Sequence, residues 1–380
     1  MDSGMSLELP DADRPMRILR VAQKSYPDVN GGGAYHVHAM SRDQAAMGHD
    51  VTVLTVRRDP ELPHLEKRDG YTVVRYDPTV SPLGNDLSVG VARYLHDARG
   101  FDVVHAHSHL YFSTNLAALK RRLGGTPLAI TNHGLYSQTA PERVFEWYLK
   151  TVGRWTFDQA DVAFCYTDVG ERQLREFGVQ TPIEVVPNGI DTERFRPEGP
   201  ESDLLESSGP IVLFVGRLVE GKRPQDALAA VERMRETYPD VTLYFCGEGP
   251  LRERLEERAA DRLGDGVEFL GHLPYEEMPR VYRSADVLVL PSRTEGVPRT
   301  VLEAMASNVR VVCSDLEQVA AVVGDGGSVA PVGDVEAFAD GIETQLSRSS
   351  ARSDGGPGPE YDWRSTVERT TSVLREVSRR

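Results

Sequence analysis

Short apolar runs recur along this chain, and several are followed by a loop and then a helical pattern. They occupy residues 18–22, 51–56, 71–76, 102–105, 128–131, 162–165, 184–186, 211–215, 242–245, 267–270, 287–290 and 309–313. Runs of this length are typical of buried strands, and strands separated by helices form parallel, doubly wound sheets. The sequence therefore predicts an α/β fold whose ligands collect at the carboxyl ends of the strands.

The length of 380 residues favours two domains of this kind. Stretches rich in Pro, Ser, Gly and acidic residues near 196–210 and 347–360 are typical of linkers. We predict a disordered lead over 1–14, a first Rossmann-like domain over 15–192, a linker over 193–210, a second Rossmann-like domain over 211–346, a flexible link over 347–360, and a helix over 361–380 that returns to the first domain.

Charge and cysteine content narrow the class of protein. A net charge of −15 argues against nucleic acid as a partner, because phosphate backbones require basic surfaces. Cys165, Cys246 and Cys313 lie in separate apolar runs and are expected to be reduced core residues. The absence of a long apolar segment predicts a cytoplasmic protein that does not span a membrane. The acidic surplus with only five lysines fits a salt-loaded cytoplasm or an arginine-favouring genome.

The stretch Pro291–Ala306 carries two carboxylates. Glu295 follows an apolar run within a loop, and Glu303 lies inside the helix that Pro298 is placed to begin. The two carboxylates should stand about 10 Å apart, which is wider than the acid pair of a glycosidase. The helix N-terminus between them favours a phosphate, so the pattern indicates a nucleotide sugar. The alternative is a pair of exposed glutamates without a shared role.

Other polar and small residues also follow predicted strands. Gly31, Gly32 and Gly33 join a strand to a helix without the GxGxxG pattern, which suits either close approach to a ligand or a flexible connection. Arg217 and Lys222 follow a predicted strand, and two cations at this position would suit a diphosphate. The alternative is that they are ordinary surface charges.

Histidines follow two neighbouring runs. His105, His107 and His109 alternate at the end of one run, yet the sequence places no further ligand beside them, so we expect no metal site. His133, after the next run, is the better candidate for the ligand cleft. The acidic pair Asp11 and Asp13 resembles a DxD metal motif but follows no strand.

A helical pattern over 141–160 combines aromatic residues with cations. Packing into the core is one interpretation. Peripheral contact with the inner face of a membrane, helped by Lys120, Arg121 and Arg122, is the other.

Six motifs, in order along the chain, make it similar to the family 4 retaining glycosyltransferases, which have the GT-B fold of two facing Rossmann-like domains. They are Gly31-Gly32-Gly33, Asn132-His133-Gly134, Pro187–Asp191, Gly216-Arg217 with Lys222, Gly247-Glu248-Gly249-Pro250, and Glu295 to Glu303. The resemblance covers nearly the whole chain from about residue 16.

The resemblance implies a role for each matching residue. Arg217 and Lys222 would hold the donor diphosphate, Glu303 the ribose hydroxyls, and Glu295 the transferred sugar. The remaining donor contacts would come from Gly31, Gly32, Gly33, Gly247, Gly249, Gly296 and Val297. His133 would orient the sugar at the reaction centre; with Arg217, Lys222 and Glu295 it makes up the catalytic set. No protein nucleophile, metal or cofactor is implied, and the cleft between domains would close around the donor.

The implied function is transfer of a hexose-type sugar from a nucleotide-sugar donor to a hydroxyl of a lipid-linked or polysaccharide glycan, with retention. A nucleotide-sugar epimerase or hydrolase of the same fold is one alternative, and a non-catalytic donor-binding subunit is another. The chain departs from the family where Asn308 and Arg310 replace the usual residues, and where the loop after Cys313 lacks a glycine pair. Asn308 should tolerate the left-handed conformation that a helix end requires.

Overall fold

The computed structural model describes residues 14–29, 31–135, 142–348 and 356–380. The predicted lead, apart from Arg14, and half of the predicted flexible link, residues 349–355, lie outside the described residues, as do the acidic pair Asp11 and Asp13. The chain divides into two compact units. Unit 1 runs to Val186 and includes Val367–Arg380, and unit 2 is Pro187–Thr366. The domain limits given above stay predictions.

Unit 1 is built on an eight-stranded sheet in the order β3-β4-β2-β1-β5-β6-β7-β8. Its strands are β1 Arg17–Val21, β2 Asp50–Val56, β3 Leu65–Arg68, β4 Tyr71–Tyr76, β5 Val103–His107, β6 Leu128–Thr131, β7 Val162–Cys165 and β8 Ile183–Val185. Its helices are α1 Gly32–Ala46, α2 Val89–Asp97, α3 Phe112–Arg122, α4 Glu142–Tyr148, α5 Arg154–Asp158 and α6 Asp168–Glu176, with a π-helical turn Leu149–Gly153 between α4 and α5.

Side-chain alternation along β1 explains how both faces of this sheet are covered. Leu19 and Val21 pack into the cluster on one face, while Ile18 packs into the cluster on the other. The described strand pairs of this sheet are parallel except β3 with β4. Both faces are buried, which is the reason its strands have continuous apolar sequences.

Unit 2 is built on a six-stranded sheet in the order β11-β10-β9-β12-β13-β14. Its strands are β9 Ile211–Val215, β10 Thr242–Cys246, β11 Val267–Gly271, β12 Val287–Leu290, β13 Arg310–Ser314 and β14 Ser328–Ala330. Its helices are α7 Pro224–Met234, α8 Arg252–Arg262, α9 Met278–Ser284, α10 Arg299–Ala306, α11 Glu317–Val323 and α12 Val335–Ser347. The final helix, α13 Trp363–Ser378, begins in unit 2 and continues in unit 1.

The predicted α/β class and strand pattern are confirmed. Each apolar run predicted as a strand forms one, with ends shifted by two residues at most. Two further strands were not predicted: β3, which is charged, and β14, which is short. Asn308 has φ 60, as its helix-end position predicted. The three cysteines are buried and unpaired, in agreement with their assignment to the core.

Candidate functional site

In unit 2, the strand order reverses between β9 and β12. Chain segments leaving neighbouring strands in opposite senses open a crevice at such a point, where ligands of doubly wound sheets bind. Arg217 and Lys222 lie in the segment after β9, and Glu295 lies in the loop between β12 and α10. The three predicted site residues therefore flank one switch point.

The side chains of Lys222 and Glu295 are in direct contact there. Lys222 Nζ donates a hydrogen bond to Glu295 Oε1, and both side chains are largely buried. The side-chain amide of Gln318, in the first turn of α11, donates to the Glu295 backbone carbonyl. Arg217, which precedes Lys222 in the segment after β9, has an exposed side chain. Gly296 and Val297 follow Glu295 in its loop. A cation and a carboxylate are thus presented together at the strand ends.

Glu303 is held by a second group of residues. Tyr275 donates its hydroxyl to Glu303 Oε1 at 2.9 Å, and Tyr282 donates to Oε2 at 3.1 Å. Arg299 Nε lies 3.6 Å from Oε1, one turn earlier on α10. Sequence reasoning missed Tyr275, Tyr282 and Arg299, and only the i,i+4 spacing of Arg299 could have indicated a partner. Helix α10 begins at Arg299 with Pro298 as its N-cap, one residue later than predicted.

Gly247 and Gly249 pack against backbone. A Cβ on Gly247 would lie 1.9 Å from the Gly216 carbonyl oxygen, and one on Gly249 would lie 2.3 Å from the Leu218 carbonyl oxygen. The Leu218 N–H in turn donates to the Glu248 carbonyl at 2.9 Å. These glycines allow the loop after β10 to lie on the loop after β9, and their donor contacts stay a prediction.

In unit 1, the corresponding reversal lies between β1 and β5. Gly31 is the N-cap of α1 with φ 138, a conformation that glycine tolerates, and no side chain caps this helix end. A Cβ on Gly33 would lie 3.7 Å from His133 Nδ1. The structure therefore brings the predicted glycine loop and His133 together.

Ion pairs fix the start of the glycine loop. Asp28 accepts hydrogen bonds from Arg75 Nε at 2.6 Å and from Arg68 Nη2 at 2.9 Å. Glu66 on β3 also contacts both arginines. Burial raises the pKa of Asp28, but the hydrogen bonds from Arg75 and Arg68 outweigh it, so the net pKa is lowered. The charged strand β3 thus anchors the loop, which explains why it is not apolar.

Both ring nitrogens of His133 are hydrogen-bonded within unit 1. Nε2 lies 3.0 Å from His107 Nδ1, and Nδ1 lies 2.8 Å from the Tyr166 hydroxyl. Burial lowers the pKa of His133 to about 4, so the ring is neutral near pH 7. Tyr166 was missed, because a tyrosine after an apolar run carries no distinguishing signal.

The alternating histidines separate into different environments. His105 Nε2 lies 2.7 Å from Thr131 Oγ1, whereas His109 packs its ring against Phe157. Within the described part of the chain, no three His, Cys, Asp or Glu side chains are placed to hold a metal ion.

Two family models match consecutive parts of the chain. Glycosyltransferase Family 4 matches residues 30–194, and Glycosyl transferases group 1 matches residues 195–356. The chain belongs to the family 4 glycosyltransferases. It is accordingly a glycosyltransferase, and its two mainly parallel sheets are those of the GT-B fold, as the resemblance implied.

Curated relatives of this glycosyltransferase align over nearly the full length. A glycogen synthase of Mycobacterium tuberculosis is 29% identical over 96% of this chain and 95% of its own. A phosphatidyl-myo-inositol mannosyltransferase of Mycolicibacterium smegmatis is 29% identical over 96% of this chain and 94% of its own.

Solved structures share its fold. Sucrose-phosphate synthase from Thermosynechococcus elongatus has a TM-score of 0.79 at 23% identity, covering 95% of this chain and 99% of that one. Anabaena HepE in complex with UDP-glucose has a TM-score of 0.78 at 17% identity, covering 95% of this chain and all of that one.

Proposed function

We propose that this glycosyltransferase moves a hexose-type sugar from a nucleoside-diphosphate sugar to a hydroxyl of a lipid-linked or polysaccharide glycan, with retention at the anomeric carbon. The observation that carries the proposal is the Lys222–Glu295 contact at the β9–β12 switch point. Its cation suits a diphosphate, and its carboxylate suits sugar hydroxyls. The UDP-glucose complex of the structural neighbour HepE supports this class of donor.

In this proposal, catalysis comes from positioning and electrostatics. Lys222, with Arg217, stabilises the charge that develops on the leaving diphosphate. Glu295 exchanges part of its contact with Lys222 for the hydroxyls of the sugar. Glu303 accepts hydrogen bonds from the ribose. The leaving phosphate acts as the base, and no residue is assigned as a nucleophile.

His133 is proposed to orient the sugar at the reaction centre. Because Tyr166 occupies Nδ1 and His107 occupies Nε2, the ring must exchange or share one of these hydrogen bonds with a sugar hydroxyl. Nδ1 is the better candidate, since it faces Gly33 of the glycine loop.

Thermal unfolding with UDP-, GDP- and ADP-sugars tests the donor site. A donor that binds the folded state raises the melting temperature of the wild type, and Arg217→Ala should abolish most of that shift. Free UDP, GDP and ADP in parallel identify the base. If no nucleotide or nucleotide sugar shifts the wild type, the donor assignment fails.

Product analysis tests retention and separates the alternatives. With the donor identified and a panel of glycans and glycolipids as acceptors, NMR of the new linkage should show the anomeric configuration of the donor. An epimerase or hydrolase would consume the donor equally fast without acceptor. A non-catalytic subunit would bind donor and form no product. We also propose that no metal is required, so EDTA should leave the rate unchanged.

We further propose peripheral contact with an anionic lipid surface through α3 and residues 142–158. Of the thirteen large apolar side chains exposed among the described residues, six lie on or directly after these elements: Leu119, Leu123, Val144, Trp147, Val152 and Trp155. The two elements pack together, since Asn115 donates to Thr156 at 2.8 Å.

Charge on this surface suits an anionic membrane. Six cations lie on these elements: Lys120, Arg121, Arg122, Arg143, Lys150 and Arg154. Three of them pair with acids, Arg121 with Asp161, Lys150 with Glu146 and Arg154 with Asp158. The other three leave a positive excess on this surface in a chain of charge −15. Phe145, Leu149 and Phe157 are buried instead, which shows that core packing uses the opposite face. No described helix combines the length and apolar character that crossing a membrane requires.

Sedimentation with vesicles of phosphatidylglycerol and phosphatidylcholine tests this contact. The wild type should sediment with the anionic vesicles, and the double substitution Trp147→Ala, Trp155→Ala should prevent it. Leu65→Ala, which removes an exposed leucine on β3, is the matched control. Equal sedimentation of the double variant would contradict the proposed contact.

A further inference from the structure

Glu303 keeps two acceptor positions after its contacts within unit 2. A carboxylate has about four lone-pair sites, two on each oxygen. The Tyr275 hydroxyl fills one site on Oε1, and the Tyr282 hydroxyl fills one on Oε2. Arg299 Nε lies 3.6 Å from Oε1, which is an ion pair at a distance too long for a hydrogen bond. One site therefore remains on each oxygen, and two sites on adjacent oxygens match the two hydroxyls of a vicinal diol.

The two tyrosines differ in how firmly they are held. Tyr282 lies on α9 and is fully buried, so its hydroxyl anchors Oε2. Tyr275 lies in the loop after β11 and is half-buried, with its ring packed edge-on against Phe195 at 5.5 Å between centroids. The orientation of the Glu303 carboxylate consequently depends on the residues that fix the Tyr275 hydroxyl.

Arg299 holds the Tyr275 hydroxyl. Its Nη2 donates to that oxygen at 3.1 Å, and the hydroxyl in turn donates to Glu303 Oε1. The guanidinium is itself fixed, because Nη1 donates to the Gly189 carbonyl at 2.9 Å and the group lies over the Trp363 ring, 5.5 Å from its centroid. Arg299 is only 8% exposed, so this geometry is set by packing.

We propose that Arg299, acting through Tyr275, is a positioning residue that aims the Glu303 carboxylate at the 2′- and 3′-hydroxyls of the donor ribose, with Tyr282 as the fixed anchor. This inference rests on the proposed function, which places the ribose at Glu303. It adds the residues that make Glu303 selective for a vicinal diol.

The specific consequence of losing Arg299 is that the site no longer discriminates between the ribose and the deoxyribose of a nucleotide. Without Arg299, the Tyr275 hydroxyl loses the hydrogen bond from Nη2, and Glu303 Oε1 loses its ion pair with Nε, so the carboxylate is less firmly oriented. The carboxylate can then no longer present both oxygens to the diol. Binding energy from the diphosphate, which Arg217 and Lys222 supply, should remain.

Calorimetric titration of the full chain with nucleoside diphosphates measures this discrimination. UDP, GDP and ADP are titrated first, and the one that binds is compared with its 2′-deoxy counterpart. A hydrogen bond to a charged group predicts roughly tenfold or greater preference for the ribonucleotide in the wild type. Arg299→Gln and Tyr275→Phe should each reduce that preference to about twofold or less while the deoxynucleotide still binds.

Two controls separate positioning from a structural role. Arg233→Gln removes an arginine that pairs with Glu336 on the surface, and it should keep the wild-type preference. Tyr275→Phe retains the ring that packs against Phe195, so it preserves the fold if Arg299→Gln does not. The variant Arg299→Gln, Tyr275→Phe should lose no more preference than either single variant, because both act on the same oxygen.

Each other outcome counts against the inference. It is overturned if the wild type does not distinguish ribose from deoxyribose, or if the variants weaken both nucleotides equally and leave the preference unchanged. If the wild type binds no nucleoside diphosphate, the proposed function fails and the inference fails with it. Binding by the wild type with unchanged preference in the variants leaves the proposed function standing.

Discussion

Individual buried side chains in unit 1 carry a cost that depends on pH. Burial lowers the pKa of His109 to about 3, and both of its ring nitrogens lack a hydrogen-bond partner among the described residues. His133 has a pKa of about 4 for the same reason but keeps two hydrogen bonds. Burial of His109 therefore destabilises the folded state without a compensating hydrogen bond, whereas His133 is held in place by its two.

His109→Phe should stabilise the protein, and more so in acid. An unfolded histidine has a pKa of about 6.5, so between about pH 6.5 and pH 3 the unfolded state binds the extra proton. The titration of His109 therefore costs no stability above pH 6.5, and it lowers the stability of the protein progressively as the pH falls below 6.5. Replacing His109 should lessen the slope of the unfolding free energy against pH by about 1.3 kcal/mol per pH unit near pH 5. Urea unfolding at pH 7 and pH 5 measures this, and an unchanged slope would contradict it.

Lys222 and Glu295 should depend on each other for stability. Lys222→Met leaves a buried carboxylate without its cation, and Glu295→Gln leaves a cation without its carboxylate. Each should cost about 1–3 kcal/mol, and the double variant should cost less than the sum. Urea unfolding of the four proteins gives the coupling. Additive losses would show that the contact contributes nothing to folding.

At the scale of elements, close contact between backbones determines the conformation of the loops that carry the candidate site. The loop after β10 lies on the loop after β9 through Gly247 and Gly249, and backbone hydrogen bonds join the two loops. In unit 1, the charged strand β3 fixes the glycine loop through Asp28. Positions that resemble ligand contacts in the sequence can thus be required for packing as well.

Gly247→Ala should destabilise unit 2 by several kcal/mol. Its Cβ would meet the Gly216 carbonyl oxygen at 1.9 Å, and φ 147 is unfavourable for alanine. Gly221→Ala is the control, because a Cβ there meets nothing within 4 Å. Thermal unfolding should show a large loss for the first variant and little change for the second. Similar melting temperatures would show that the β9 and β10 loops can separate without cost.

At the scale of the whole molecule, the chain terminus completes unit 1. Leu374 and Val377 of α13 are buried in the cluster that contains Ile18 of β1. The fully buried Arg20 donates to Gln44, whose amide donates to Thr371 of α13 at 2.9 Å. Arg20 is fully buried, and this burial lowers the pKa of its guanidinium to about 9. The last residues therefore shield a buried cation as well as apolar surface.

Removal of residues 367–380 should destabilise unit 1 selectively. Hydrogen exchange should rise in β1 and α1, because these elements lose their covering helix, while β9 to β13 should keep their protection. Glu376→Ala, a substitution of an exposed residue on the same helix, should leave both units unchanged. Equal loss of protection in the two sheets would contradict the assignment of these residues to unit 1.

The sequence by itself determined the strands other than β3 and β14, the family, and the loops in which the candidate site residues lie. Buried parallel strands need continuous apolar runs, and ligand loops follow them, so both leave local patterns. By the same reasoning β3 could not be predicted, since its charges pair with Asp28 and Arg75, which lie elsewhere in the chain.

Only the tertiary structure decided which side chains hold the site residues in place. Tyr275 and Arg299 orient Glu303, and the Tyr166 hydroxyl is hydrogen-bonded to His133 Nδ1. Lys222 contacts Glu295, which lies 73 positions later in the sequence. Apart from the i,i+4 pair Arg299 and Glu303, these contacts join residues that are far apart in the chain, and their geometry depends on how whole elements pack. No local pattern encodes them, because hydrogen bonds between side chains depend on distance and direction in space.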